Sequence, residues 1–152
     1  MRKNGVIAAA YMRDLAMHGA TGVRGLCLRT CRLAWGLPGG TPSAIAAWRE
    51  VPIDHRHADP TTAPVGAPHF WTGNYGGLKQ YGHIALQAEH EGYVWSTDAP
   101  ISNKVGMVDL LWFETHWSNR LAGRRCTYLG WTDMLQGQHL PLGLEAPKKG
   151  TP

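Results

Sequence analysis

Cys27 follows Gly25-Leu26 and precedes Leu28, at a point where a helix is predicted to begin. A thiol at a helix start lies at the positive end of the peptide dipoles, which favours thiolate over thiol. Arg24 and Arg29 are close in sequence and push the same way. The first-turn N–H groups have no intrahelical acceptor and are available to hold an oxyanion. A lone cysteine is nonetheless more often a small buried hydrophobe than a nucleophile. Cys31, one turn deeper, is expected to face the core. With Cys126 the count is three, so the cysteines cannot all pair. Cys27 and Cys31 are four apart on one helix, a poor geometry for a bridge, and at least one thiol is expected to be free.

His83 opens an apolar stretch, Ile84-Ala85-Leu86, after Tyr81-Gly82. A histidine at a strand entrance can reach a neighbouring helix start, and general-base work needs such reach. The plain alternative is a half-buried imidazole bonded to a loop carbonyl. Ser96 and Asp98 lie two apart on the next predicted strand, so both can share a face with the imidazole. Either can orient it. A carboxylate is the better partner, because it stabilises an imidazolium, although Asp98 also suits a turn before Ala99-Pro100. Trp71, Tyr75 and Tyr81 are candidates for the wall of a substrate groove, and equally for packing. His55-Arg56-His57, with His69 and Asp59, hints at a metal site, but the stretch reads as loop. Gly73 to Gly77 lacks the Lys-Ser/Thr of a phosphate loop.

These residues need elements to hold them. Residues 5–17 are predicted as a helix with Val6, Tyr11, Leu15 and Met17 apolar and Gly19 at its end. A polar turn, 21–25, precedes a second helix from Leu26 to Trp35. Thr41 is expected to cap a third, with Pro42 at its first position. Residues 51–68 read as loop. The period then changes to two. Strands are expected at 69–71, 83–88, 93–97, 105–108 and 127–131, with a Gly-rich loop at 73–82. Asp109 is expected to cap a helix through about Leu121. Helices first and strands afterwards predict an α+β fold, an antiparallel sheet with the N-terminal helices packed on one side. A single domain is expected over 1–137, followed by a loose basic tail, 138–152.

Composition narrows the function classes. At 152 residues the chain is one ordinary domain, and 43% hydrophobic against 17% charged residues makes it globular. No apolar run approaches the ~20 residues of a membrane span. The net charge of +4 is scattered, without the dense basic stripe of a nucleic-acid binder, and suits a polyanion such as an anionic cell wall. Seven tryptophans against two phenylalanines suggest a groove or interface as well as a core. Met1-Arg2-Lys3 before Val6 to Met12 is faintly like a secretion signal, but Arg13 and Asp14 interrupt it, and an amphipathic helix is expected instead.

Five segments in order carry a resemblance. They are Gly25-Leu26-Cys27-Leu28, Pro64 to Trp71, Tyr81-Gly82-His83-Ile84-Ala85-Leu86, Gly92 to Asp98, and Tyr128 to Thr132. Over about residues 20 to 137 the chain resembles the papain-like cell-wall hydrolases, the CHAP and NlpC-type peptidases and amidases. It looks most like the compact forms of actinobacteria and of the lysis enzymes of their phages. The resemblance implies a papain-like fold, with Cys27 as nucleophile attacking an amide of bacterial peptidoglycan and His83 as base. The orienting residue falls in the segment from Ser96 to Asp98. Asp98 is chosen on chemistry, with Ser96 in reserve. No cofactor and no nucleic-acid partner are expected, and the chain is expected to be a monomer or one component of a phage particle. The protein is then expected to be made in the host cytoplasm and released to act at the wall. Many family members carry a separate wall-binding domain, and none is visible here. Two other expectations stand beside this one: a catalytically silent wall-binding or virion module on the same fold, and a zinc-dependent amidase using His55, His57 and His69.

Overall fold

The computed structural model describes residues 4–143 and 146–150. Residues 1–3, where the signal-like start was read, and 144, 145, 151 and 152 of the expected tail lie outside the described residues. Helix α1 spans Gly5–Met17, and its first turn is capped by the Asn4 side chain, which accepts from the Ile7 N–H at 2.9 Å. Its buried stripe is Gly5, Ala8, Ala9 and Met12. Val6 and Met17, expected to be inward, are exposed. The reason is steric: the helix approaches so closely that a Cβ on Gly5 would stand 1.9 Å from the Val65 carbonyl oxygen. Only glycine fits at that point, and Ala8, Ala9 and Met12 continue the inward stripe.

Helix α2 spans Cys27–Ala34 and buries Leu28, Cys31 and Ala34, one residue per turn. Helix α3 is Ala44–Glu50, capped by Ser43 rather than Thr41. Thr41 instead donates its hydroxyl to Glu50. The expected loop at 51–68 holds a two-residue strand, β1 (Arg56–His57). Then follow β2 (Pro68–Gly73), a short helix α4 (Gly76–Tyr81) in place of the expected Gly-rich loop, β3 (His83–Gln87), β4 (Tyr93–Thr97) and β5 (Val105–Asp109). Helix α5 (Trp112–His116) stops five residues before Leu121. There the Ser118 hydroxyl accepts the Cys126 N–H and the Asn119 carbonyl oxygen of the side chain accepts the Ala122 N–H, which turns the chain instead of continuing the helix. Strand β6 is Cys126–Thr132, and β7 (Met134–Leu135) pairs with β8 (Gln138–His139) as a small hairpin. The segment after Gly137, expected to be loose, thus pairs and then buries Leu140 and Leu142.

The main sheet has six strands in the order β1-β6-β2-β3-β4-β5, and every pairing is antiparallel. The protein is therefore α+β. Alternation along the strands sends Phe70, Ile84, Leu86 and Trp95 to one face, with α1, α2 and α3. It sends Trp71, Ala85 and Val94 to the other, with Phe113 of α5. The sheet is covered on both faces rather than on one. No helix among the described residues is long and apolar enough to cross a membrane.

Candidate active site

Cys27 is the first residue of α2, and His83 is the first residue of β3. Both line one cavity of about 310 Å³, together with Tyr75, Tyr81 and Trp117. Gly82 brings the histidine there. Its φ of +68° is in the left-handed region, and a Cβ would stand 3.1 Å from both Ile45 and the Trp71 carbonyl oxygen.

The imidazole is boxed in by aromatic rings. Trp117 meets it edge-on at 4.8 Å between centroids, Phe113 lies at 5.0 Å and Trp71 at 6.0 Å. This burial disfavours the charged form and pushes the His83 pKa down to about 3. Its Nε2 is 2.7 Å from the Ser96 Oγ. The Ser96 hydroxyl donates to the Thr97 carbonyl at 2.7 Å, so Oγ must accept from His83, and the proton resides on Nε2. Nδ1 then carries the lone pair. It has no protein partner among the described residues and is not sealed from the cavity. Cys27 and His83 line the same cavity, and among the described residues no hydrogen bond joins the sulfur to the ring.

The side chain that meets the His83 ring is Ser96, the reserve expectation; Asp98 lines the same cavity but makes no hydrogen bond to the imidazole. Alternation along β4 holds through Thr97 and fails at Asp98, whose φ of +58° turns the chain out of the strand. The Asp98 carboxylate instead accepts the Gly25 N–H at 2.9 Å on Oδ2 and the Asn103 N–H at 2.7 Å on Oδ1. Asn103, also left-handed, accepts the N–H groups of Gly22, Val23 and Arg24 on one oxygen at 2.9, 3.0 and 3.2 Å. Asp98 and Asn103 together form a brace under the turn that leads into Cys27.

The thiol is not a resting thiolate. Burial pushes the Cys27 pKa up to about 11. Backbone groups of Ile84, Leu28 and Cys27 pull the other way, which only N–H donors can do, so the helix-start effect read from the sequence is present in direction and is overcome. The negative charge of Asp98 adds to the rise. Arg24 and Arg29 are exposed and do not offset it. Cys31 is fully buried with its Sγ 3.8 Å from the Ile84 carbonyl oxygen, as expected of a core thiol. All three cysteines are free.

Tyr75 and Tyr81 line the cavity, and Trp71 does not. It is fully buried beneath the imidazole, 4.4 Å from Phe113. Trp117 and Leu78 take the wall position instead. The period-two pattern of β2 already sends Trp71 to the same face as His69, and only the cover supplied by α5 closes that face.

The histidine trio is not assembled. His55 Nδ1 and His57 Nε2 contact the two oxygens of Asp133 at 2.7 and 3.0 Å. His57 and His69 both pair with Trp131 from strands on opposite sides of β6, which separates them by about 9–10 Å, two strand spacings. His69 is fully buried between the Tyr128 hydroxyl and Gln87. No group of three such ligands able to hold a metal ion occurs among the described residues. Comparison with protein-family models, curated proteins and solved structures finds no match.

Proposed function

We propose that the protein is a cysteine peptidase or amidase that hydrolyses an amide bond of bacterial peptidoglycan. One observation carries the chemistry: the Cys27 thiol and a His83 imidazole, tautomerically fixed with Nδ1 free, share one cavity. The peptidoglycan substrate rests on the ordered resemblance to papain-like cell-wall hydrolases. The helix-start thiol against an antiparallel sheet suits that reading.

The resting pair is thiol and imidazole, both neutral across physiological pH. His83 Nδ1 takes the thiol proton as Sγ attacks the carbonyl carbon. The backbone donors around the sulfur lie beside the developing oxyanion. The C–N bond then breaks, and the imidazolium returns the proton to the departing amine. Water, deprotonated by His83, opens the thioester, which releases the carboxylate and restores the thiol. No redox step or external group is needed.

A second reading has its own support. A thiol pushed up to about 11 beside an imidazole pushed down to about 3 is also what a catalytically silent wall-binding or virion module on the same scaffold would show. Wall turbidity separates the two. Cys27→Ala is expected to abolish clearing of purified walls with an unchanged melting temperature, while Cys31→Ala clears walls and loses only stability. Iodoacetamide should inactivate, and a chelator should not. Normal clearing by Cys27→Ala, or no clearing of any wall type by the native protein, would overturn the hydrolase.

A further inference from the structure

The cleft has two arms that meet at Cys27, and their walls differ in kind. One arm is the cavity already described, with His83 and the rings of Tyr75, Tyr81 and Trp117. The second, of about 300 Å³, shares Gly25, Cys27 and Tyr81 with it and runs along α2 past Arg29, Arg32, Thr41 and Ser43. Arg29 and Arg32 are three apart on α2 and so present their guanidinium groups on one side of the helix. Among the described residues, neither forms an ion pair with a carboxylate. Among the described residues Arg29 has no side-chain hydrogen-bond partner, and Arg32 uses Nη1 alone, on the Leu37 carbonyl at 2.9 Å. The Glu50 carboxylate behind Thr41 is exposed and is engaged by the Thr41 hydroxyl. Two guanidinium groups with spare donors therefore border a cavity that opens on the thiol.

We propose that this second arm is an anion subsite, in which Arg29 and Arg32 bind a carboxylate on the acyl half of the scissile amide. The assignment of the acyl half rests on the hydrolase reading. His83 must hand its proton to the departing amine, so the amine lies in the arm that His83 lines. The acyl half is left with the other arm. Guanidinium groups suit a planar carboxylate because they offer two parallel N–H donors.

The test uses alkylation of Cys27 and not wall hydrolysis, so the two readings fail separately. The probes are N-chloroacetyl-glutamate and its neutral diamide, which match in shape and differ in charge. In each, sulfur bonds to the CH2 carbon, chloride leaves and the thiol proton passes to buffer. The native protein is expected to react with the anionic probe faster than with the diamide by about fivefold or more at low salt, and to lose that preference at high salt. Arg29→Gln and Arg32→Gln should each lower the ratio, and the double variant should remove it. Arg32→Lys should retain much of it and guards against a folding effect of the neutral change. An unchanged ratio in the double variant, no preference in the native protein, or no labelling of Cys27 by either probe overturns the subsite. A charge preference without wall clearing removes the hydrolase and leaves the subsite. Wall clearing without a charge preference does the reverse.

Discussion

An imidazole walled by Trp71, Phe113 and Trp117 must carry a positive charge twice in every proposed turnover, in surroundings that resist it. A carboxylate on Nε2 would offset that cost. Ser96 supplies a dipole only, and its own proton is committed to Thr97. The serine is thus a positioning residue that fixes the tautomer. Ser96→Ala should lower kcat by about tenfold, or ~1.4 kcal/mol of transition-state stabilisation, and free Nε2 to exchange tautomers. Ser96→Asp should raise the His83 pKa from about 3, readable by NMR titration of the ring. A purely structural serine would leave the tautomer and the ring titration where they are. The placing of Cys27 and His83 on one cavity was legible because it depends on two local events, a helix start and a strand start. The third residue was not, because strand alternation extends to Asp98 only if the backbone stays extended, and a φ of +58° ends it.

At the scale of elements, the two left-handed residues after β4 join the β4–β5 connection to the start of α2. The link is electrostatic as well as mechanical, since the Asp98 charge raises the Cys27 pKa. Asp98→Asn removes that charge and can keep only one of the two accepted N–H bonds. The thiol pKa should therefore fall, seen as a lower midpoint in the pH profile of iodoacetamide alkylation, while stability drops by about 1 kcal/mol. A midpoint that rises or stays would show that Asp98 does not act on the sulfur. Strands β2 to β6 and the first two helices were legible from the apolar period, whereas the two-residue strands β1, β7 and β8 were not. The inward face of α1 was not, because the close approach of Gly5 to the Val65 carbonyl is a tertiary contact that a hydrophobicity pattern does not record. Nor was α4, where Gly76 and Gly77 argue for loop but the segment is helical through Tyr81, one residue before the left-handed Gly82.

For the molecule as a whole, two buried neutral histidines set the acid limit. His83 is pushed down to about 3 and His69 to about 4, both by burial, from an ordinary value of 6.5. Because the folded values are depressed, the unfolded chain binds more protons below pH 6.5. The stabilisation is complete above that pH and is lost as pH falls toward the folded values. Each histidine contributes a slope of up to ~1.4 kcal/mol per pH unit. Denaturant melts should show stability level above pH 6.5 and falling steeply between about 6 and 4. A flat profile across that range would mean that these rings are not buried neutral. Asp133, whose carboxyl is held low by its contacts with His57 and His55, adds to the loss only at still lower pH.

The brace also has a consequence in time. Gly25 takes its acceptor from a residue 73 positions later, and Gly22, Val23 and Arg24 take theirs from one 79 to 81 positions later. A ribosome adding about 5–20 residues per second exposes Cys27 on the order of ten seconds before Asp98 and Asn103 follow. Throughout that interval the turn before the thiol has nothing to rest on. A nascent chain therefore carries Cys27 without the brace until synthesis has passed Asn103.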